Sequence, residues 1–227
     1  MEEVAPPAHP MLKTLILKLH DRLNRRKFER LFHSRKDPYR YGTLEFERRR
    51  YDLMLRFIGD RHYLNALEVG CAEGHFTEKL FTFCQNITTM DVSETAIERA
   101  RKKFENNSHI QIIQANIRDW FPKPISSFNL IVLSEVLYYL GERNDIIRFT
   151  GIAQETCLRP VSSKLVNLLS KNGRILLAHS HASGERRSRE FYREILQGLG
   201  LRLIQEEPVP PTGEKGTDQC LVSLLEK

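Results

Sequence analysis

Long apolar runs are missing from this sequence, and no stretch approaches the ~20 residues that a membrane-spanning helix requires. Cysteine is sparse. Cys71, Cys84, Cys157 and Cys220 stand far apart with no C-x-x-C pair, which argues against a zinc site or a disulfide framework and for a reducing cytoplasm. The histidines lack ligand spacing. His179 and His181 alternate at a strand end and would face opposite ways, so no metal is expected. The N-terminus carries Glu2, Glu3, Pro6, Pro7 and Pro10 in place of an apolar leader, so no signal peptide is expected. Internal repeats are absent. No aromatic ladder accompanies the basic residues, which makes nucleic acid an unexpected partner.

What is present is a chain of 227 residues with 41% hydrophobic content, enough for one α/β domain with a full core. The net charge of +6 is uneven: residues 13–50 hold thirteen Lys/Arg against five Asp/Glu. The organisation expected is a tail and basic amphipathic helix over 1–36 and a catalytic domain over 37–227. Leu12, Leu15, Ile16, Leu19 and Leu23, then Phe28, Leu31 and Phe32, recur at helical spacing. This predicts a helix from Met11 to Phe32 with a break near Asn24. Such a helix could lie on the core, on a partner or peripherally on a membrane, through residues 11–33. A second helix is expected from Thr43 to Ile58, opened by an imperfect capping box at Thr43.

Alternation then sets in. Strands are expected at 65–69, 86–91, 109–114, 129–133 and 174–178, and helices at 74–84, 93–106 and 186–199. The last two strands, 201–206 and 220–226, flank a Pro/Gly-rich turn and read as an antiparallel pair. Lys171-Asn172-Gly173 reads as a helix stop with a left-handed glycine. Residues 150–163 look like an insertion or a helix–loop–helix. The pattern as a whole is that of a doubly wound, mostly parallel sheet.

The segment that carries chemistry is Leu67-Glu68-Val69-Gly70-Cys71-Ala72-Glu73-Gly74, followed by Asp91. Small residues between a strand and a helix let a ligand approach the backbone, beside free N–H groups. An acid closing the next strand can accept hydrogen bonds from both hydroxyls of an unphosphorylated ribose. A dinucleotide turn, G-x-G-x-x-G, would need glycine where Ala72 and His75 stand. Glu68, Gly70, Ala72 and Gly74 instead fit acidic-x-Gly-x-small-x-Gly, the first motif of S-adenosylmethionine-dependent methyltransferases.

Together with that motif, Asp37-Pro38-Tyr39, Glu47-Arg48-Arg49-Arg50-Tyr51, Phe76-Thr77-Glu78, the segment Ser134 to Gly141 (Ser-Glu-Val-Leu-Tyr-Tyr-Leu-Gly) and Asp218-Gln219-Cys220-Leu221 resemble the nodulation methyltransferase (NodS-like) family. The resemblance covers roughly residues 37–226. It implies a class I methyltransferase, Rossmann-like fold of seven strands, the last antiparallel. It also implies S-adenosyl-L-methionine as cofactor and N-methylation of an amino sugar in a chitooligosaccharide. One departure is Gln114-Ala115-Asn116-Ile117, where this fold usually places an acid for the adenine amino group.

The residues expected to bind the cofactor are Gly70, Cys71, Ala72 and Gly74 near the methionine part, Glu68 at its amino group and Asp91 at the ribose. Val92, Asn116 and Ile117 are expected around adenine. Glu135, just past the fourth strand, is a candidate for cofactor or substrate contact and for proton acceptance. Tyr138 and Tyr139 are candidate pocket residues, with at least one of the two expected in the core, and His179 is a candidate general base. Arg50 and Tyr51 lie on the helix that the resemblance puts over the cofactor. The substrate expected is a small-molecule or saccharide amine. O-methylation remains an alternative, as does a catalytically silent module whose basic arm binds a partner.

Overall fold

The computed structural model describes residues 10–122, 127–140, 154–180, 190–213 and 220–227. The strands are β1 (Tyr63–Val69), β2 (Cys84–Asp91), β3 (Ile110–Gln114), β4 (Phe128–Ser134), β5 (Leu169–Ser180), β6 (Arg202–Pro208) and β7 (Cys220–Glu226). They form one seven-stranded sheet in the order β3-β2-β1-β4-β5-β7-β6. Strands β1 to β5 pair in parallel, whereas β7 runs antiparallel to both β5 and β6. This is the doubly wound class I methyltransferase arrangement that the sequence led us to expect.

Strand periodicity explains why both faces are covered. Ala66, Leu130, Val132, Leu176, Val222 and Leu224 point to one side, while Leu67, Ile131, Leu133, Ile175, Leu177 and Leu225 point to the other. Side chains alternate with a period of two, so strands buried on both faces read as continuous apolar runs. Helix α2 (Glu45–Ile58) covers the first face with Phe46, Tyr51, Met54, Phe57 and Ile58, and α3 (His75–Leu80) adds Phe76 and Leu80. Helices α5 (Gln154–Leu168) and α6 (Phe191–Gln197) cover the second with Leu158, Val161, Leu165, Tyr192 and Leu196. Each such side chain contributes about 1.5–3 kcal/mol of burial.

Helix α1 (Pro10–Ser34) runs unbroken through Asn24, contrary to expectation. Asn24 is buried and its Nδ2 donates to the Tyr139 carbonyl at 2.8 Å, so the polar side chain docks the helix instead of ending it. Four residues on, Phe28 meets the Tyr139 ring edge-on at 4.7 Å. Glu29 accepts from Ser93 Oγ (2.8 Å), Thr95 Oγ1 (2.5 Å) and Thr95 N (3.3 Å). It therefore sits on the N-terminus of α4 (Glu94–Lys103), where the helix dipole favours an anion. Burial pushes the Glu29 carboxyl up, but these donors leave it below the usual range.

Several local expectations are corrected. Helix α2 starts at Glu45 after Leu44, and Thr43 Oγ1 turns back to the Arg40 carbonyl, so no capping box forms. At Lys171-Asn172-Gly173 the left-handed residue is Asn172, at φ 57°. The turn is a bulge inside β5, and helix α5 has already ended at Leu168. Gly173 is required for a different reason: a Cβ there would meet Leu169 and the Ser170 carbonyl within 2.9 Å. Helix α5 continues through Pro160, so 154–163 is one helix. Residues 150–153, 181–189 (with His181) and 214–219 lie outside the described residues, and the helix expected from 186 is described only from Phe191.

Gly74 (φ 81°) begins α3, and a Cβ on it would lie 2.5 Å from the Phe104 ring at the end of α4. Its missing side chain leaves room for the Phe104 ring against the start of α3. Gly74→Ala should lower stability by about 2–3 kcal/mol, from left-handed strain together with overpacking. Urea unfolding would measure this, and an unchanged midpoint would contradict the packing role.

Candidate active site

The carboxyl ends of β1, β2 and β4 open into a cleft that communicates with solvent. Ligands collect at this edge of a doubly wound sheet because adjacent crossovers diverge there. The floor is Val69, Gly70 and Ala72 after β1, Met90, Asp91 and Val92 at the end of β2, and Ala115, Asn116 and Ile117 after β3. The wall is Ser134, Glu135, Val136 and Tyr139 after β4. Across the opening lie Asp21, Asn24, Phe28 and Phe32 of α1, with Tyr39 and Tyr41 from the turn that follows it.

The floor is held by the Asp91 carboxylate. Oδ2 accepts from Ala72 N at 3.0 Å and Oδ1 from Ser93 N at 2.9 Å. Ala72 reaches that bond in the left-handed region, at φ 50°. This is strain of the kind that persists only where neighbours over-determine a loop. Burial pushes the Asp91 carboxyl above its ordinary value. Gly70 (φ 80°) passes so close to Val136 that a Cβ would lie 3.1 Å from its methyl. Val136 thus fills the space a side chain would take, and glycine fits beneath it.

Asn116 Oδ1 accepts from Arg118 N at 3.0 Å, which fixes the loop after β3. Lys164 on α5 secures the same loop. Its Nζ donates to the carbonyls of Ile117 (2.8 Å), Arg118 (2.7 Å) and Trp120 (2.9 Å). Arg118 bonds to Asp21 of α1 at 3.0 Å and to the carbonyls of Leu140 and Cys157. The loop at one end of the cleft is thus tied to α1 and α5.

The other end is ionic. Glu135 is left-handed at φ 55°. Its Oε1 accepts from Ser180 N at 2.6 Å and its Oε2 from the Tyr138 hydroxyl at 2.8 Å. The Arg50 guanidinium lies 3.7 Å from it and pairs also with Glu47. Arg50 is buried over the rings of Tyr41 and Tyr51, 5.7 and 5.4 Å from their centroids. Burial pushes the Glu135 carboxyl up, but Arg50, His179, Ser180 N–H and Tyr138 together hold it below its usual range. For Glu47 burial prevails over Arg50, and its carboxyl rises to about 7.

Of the expected site residues, Gly70, Ala72, Asp91, Val92, Asn116, Ile117 and Glu135 line the cleft, and Glu68, Cys71, Gly74, Tyr138 and His179 do not. Glu68 is buried beneath the turn, accepting from Thr77 Oγ1 (2.5 Å) and Thr89 Oγ1 (3.1 Å). Cys71 is buried with its thiol toward the Ala72 carbonyl. His179 is buried behind Tyr138, stacked on Tyr192 at 3.8 Å, with Nδ1 at 2.9 Å from the Ser180 carbonyl. Of the two candidate tyrosines, Tyr139 faces the cleft and Tyr138 is the one in the core. The contribution of α1 was missed. Phe28 and Phe32 stood at helical spacing, but spacing names a face and not what it covers.

Comparisons with known proteins agree with this geometry. The profile of the family described as Nodulation protein S (NodS) matches residues 22–226. Nodulation protein S of Sinorhizobium fredii (strain NBRC 101917 / NGR234) is 33% identical over 194 residues, covering 84% of this chain and 83% of that one. Nodulation protein S of Rhizobium tropici is 31% identical over 189 residues, covering 82% and 74%. The crystal structure of N-methyltransferase NodS from Bradyrhizobium japonicum WM9 in complex with S-adenosyl-L-homocysteine superposes with a TM-score of 0.74. Its identity is 28%, over 89% of this chain and 97% of that chain.

Burial raises the Glu68 carboxyl to about 7. A carboxyl with a folded value above its unfolded one binds more protons in the folded state. Its contribution is therefore fullest at low pH and is lost as pH rises through about 7. Glu68→Gln should flatten that dependence, gaining about 1–3 kcal/mol relative to wild type between pH 5 and pH 8. Unfolding at the two pH values checks this, and equal differences at both would refute it.

Proposed function

The chain belongs to the Nodulation protein S family, and we propose that it transfers a methyl group from S-adenosyl-L-methionine to the amine of a saccharide. That it is an enzyme of the S-adenosylmethionine-dependent methyltransferase class follows from the family and the fold. The amine and the saccharide are our reading. The observation that carries them is the Glu135 carboxylate at the cleft wall, which Arg50, Ser180 N–H and the Tyr138 hydroxyl keep ionised. An ionised carboxylate on the wall of a partly buried site attracts a cation. A protonated amine is therefore drawn in, whereas a neutral hydroxyl gains nothing from it.

The residues present fit the cofactor. The cleft lies at the carboxyl edge of the sheet, floored by the Gly70–Ala72 turn and by Asp91, with Asn116 and Ile117 after β3. In this reading Asp91 receives the ribose hydroxyls through the lone pairs not taken by Ala72 and Ser93. Val92 and Ile117 flank the base, and Asn116 meets its edge. Gly70 and Ala72 lie along the methionine part, with Glu68, Cys71 and Gly74 shaping the turn from beneath. When bound, S-adenosyl-L-methionine supplies a methyl on a sulfonium and a neutral thioether leaving group. The chain's task is alignment and exclusion of water. Tyr41, Phe28 and Tyr139 close the cleft with apolar surface. Glu135, kept ionised and oriented by Tyr138 and Ser180, holds the ammonium form of the amine by charge, and the amine gives up its proton to water before it attacks. His179 acts through Tyr138 as a positioning residue. Tyr41 and Tyr139 give ring faces suited to a sugar.

Titration calorimetry with S-adenosylhomocysteine tests the corner: Asp91→Ala should weaken binding at least about 50-fold through loss of two charge-assisted hydrogen bonds. Unchanged affinity would remove Asp91 from the site, and no binding by the wild type would sink the enzymatic reading.

Labelled methyl transfer should reach an amino sugar with a free amine and not its N-acetylated form. Glu135→Gln should cut kcat/KM by about 10²–10³-fold, with cofactor affinity changed far less. Transfer to phenols or sugar hydroxyls in place of amines would give the site to O-methylation.

A further inference from the structure

We infer that the outer face of helix α1 docks the protein on an anionic lipid surface. Met11, Leu12, Leu15 and Leu19 are 78%, 50%, 64% and 46% exposed. Met11, Leu15 and Leu19 follow one another at four-residue steps and form a single stripe. The stripe continues past Leu19 as Arg22 and Arg26, with Lys18 and Arg25 along one flank, all four exposed. The one acid among residues 11–27, Asp21, turns inward to Arg118. Glu29, further on, is engaged with Ser93 and Thr95 at the start of α4. The outward face therefore presents apolar side chains at one end, cations at the other and no acid between.

Charge decides what covers that face. A second copy, docked by the same helix, would bring two sets of arginines together or bury arginine against leucine, and both are unfavourable. A sheet of acyl chains topped by anionic headgroups matches both halves at once. The flank also borders a solvent-open groove lined by Lys18, Arg22 and Arg25 together with Asp21, Arg118 and Asp119; Arg118 is paired with Asp21, so the cations left to meet a phosphate are those of α1. None of Met11, Leu12, Leu15 or Leu19 lines the cleft, and these residues precede the family match, which begins at residue 22. No helix among the described residues is long and apolar enough to cross a membrane, so the contact is peripheral. It is independent of the methyl-transfer reading.

Co-sedimentation of the full chain with vesicles tests the inference. Binding is expected to vesicles of phosphatidylglycerol with phosphatidylcholine and not to phosphatidylcholine alone, and to fall as salt is raised. Leu15→Ser with Leu19→Ser should lower partitioning about tenfold or more, and Arg22→Gln with Arg25→Gln and Arg26→Gln about a hundredfold. Both variants should bind S-adenosylhomocysteine like the wild type, which shows that they fold. Equal binding to both vesicle types, or wild-type partitioning by both folded variants, would overturn the proposal. So would a dimer seen by ultracentrifugation and abolished by the leucine variant, with no vesicle binding, since that assigns the face to a second copy.

Discussion

The Asp91 carboxylate joins four elements at one point. Its two oxygens take the N–H of Ala72, in the turn after β1, and the N–H of Ser93, at the cap of α4. Ser93 in turn donates its hydroxyl to Glu29 of α1. The helix over the cleft, the turn beneath it and two adjacent strands thus share one chain of hydrogen bonds. A buried carboxylate without those donors would be costly. Ala72 would have no reason to hold a left-handed backbone without that acceptor. The floor of the cleft is therefore ready before any ligand arrives, and little ordering is left for binding to supply.

At the opposite end, ionic balance shapes the site. Arg50 lies buried between two tyrosine rings, and a lone buried guanidinium would be prohibitive. Glu47 and Glu135 both answer it, from α2 and from the end of β4. The consequence is unequal carboxylates: Glu135, with Ser180 and Tyr138 as further donors, is kept ionised, whereas Glu47 is raised to about 7. Environment has given two identical side chains different tasks, one to hold charge at the cleft wall and one to adjust the sum.

Much of this was legible in the residues. Alternating apolar runs predicted the doubly wound sheet, and the spacing from Gly70 to Asp91 predicted the corner, because a strand, a turn, a helix and a second strand consume a nearly fixed number of residues. The positions read least well were those whose role is set by a distant partner. Glu68 looks like a ligand residue in the motif, yet Thr77 and Thr89 close over it. His179 stands at a strand end like a base, yet Tyr138 and Tyr192 enclose it. Lys164 carries no signal at all, and its three carbonyl partners are more than forty residues away.

By itself the sequence determined the alternation of strands and helices, and with it a doubly wound, mostly parallel sheet, and the acid at the end of the second strand, since these follow from local periodicity and turn chemistry. Only the tertiary structure decided which surface α1 covers. A helix with apolar residues on more than one side has several faces it can bury. Asn24 on the Tyr139 carbonyl, Glu29 on the cap of α4 and Asp21 on Arg118 select one of them. Each is a contact across at least sixty residues of chain, which periodicity cannot see, and together they leave the other face to solvent.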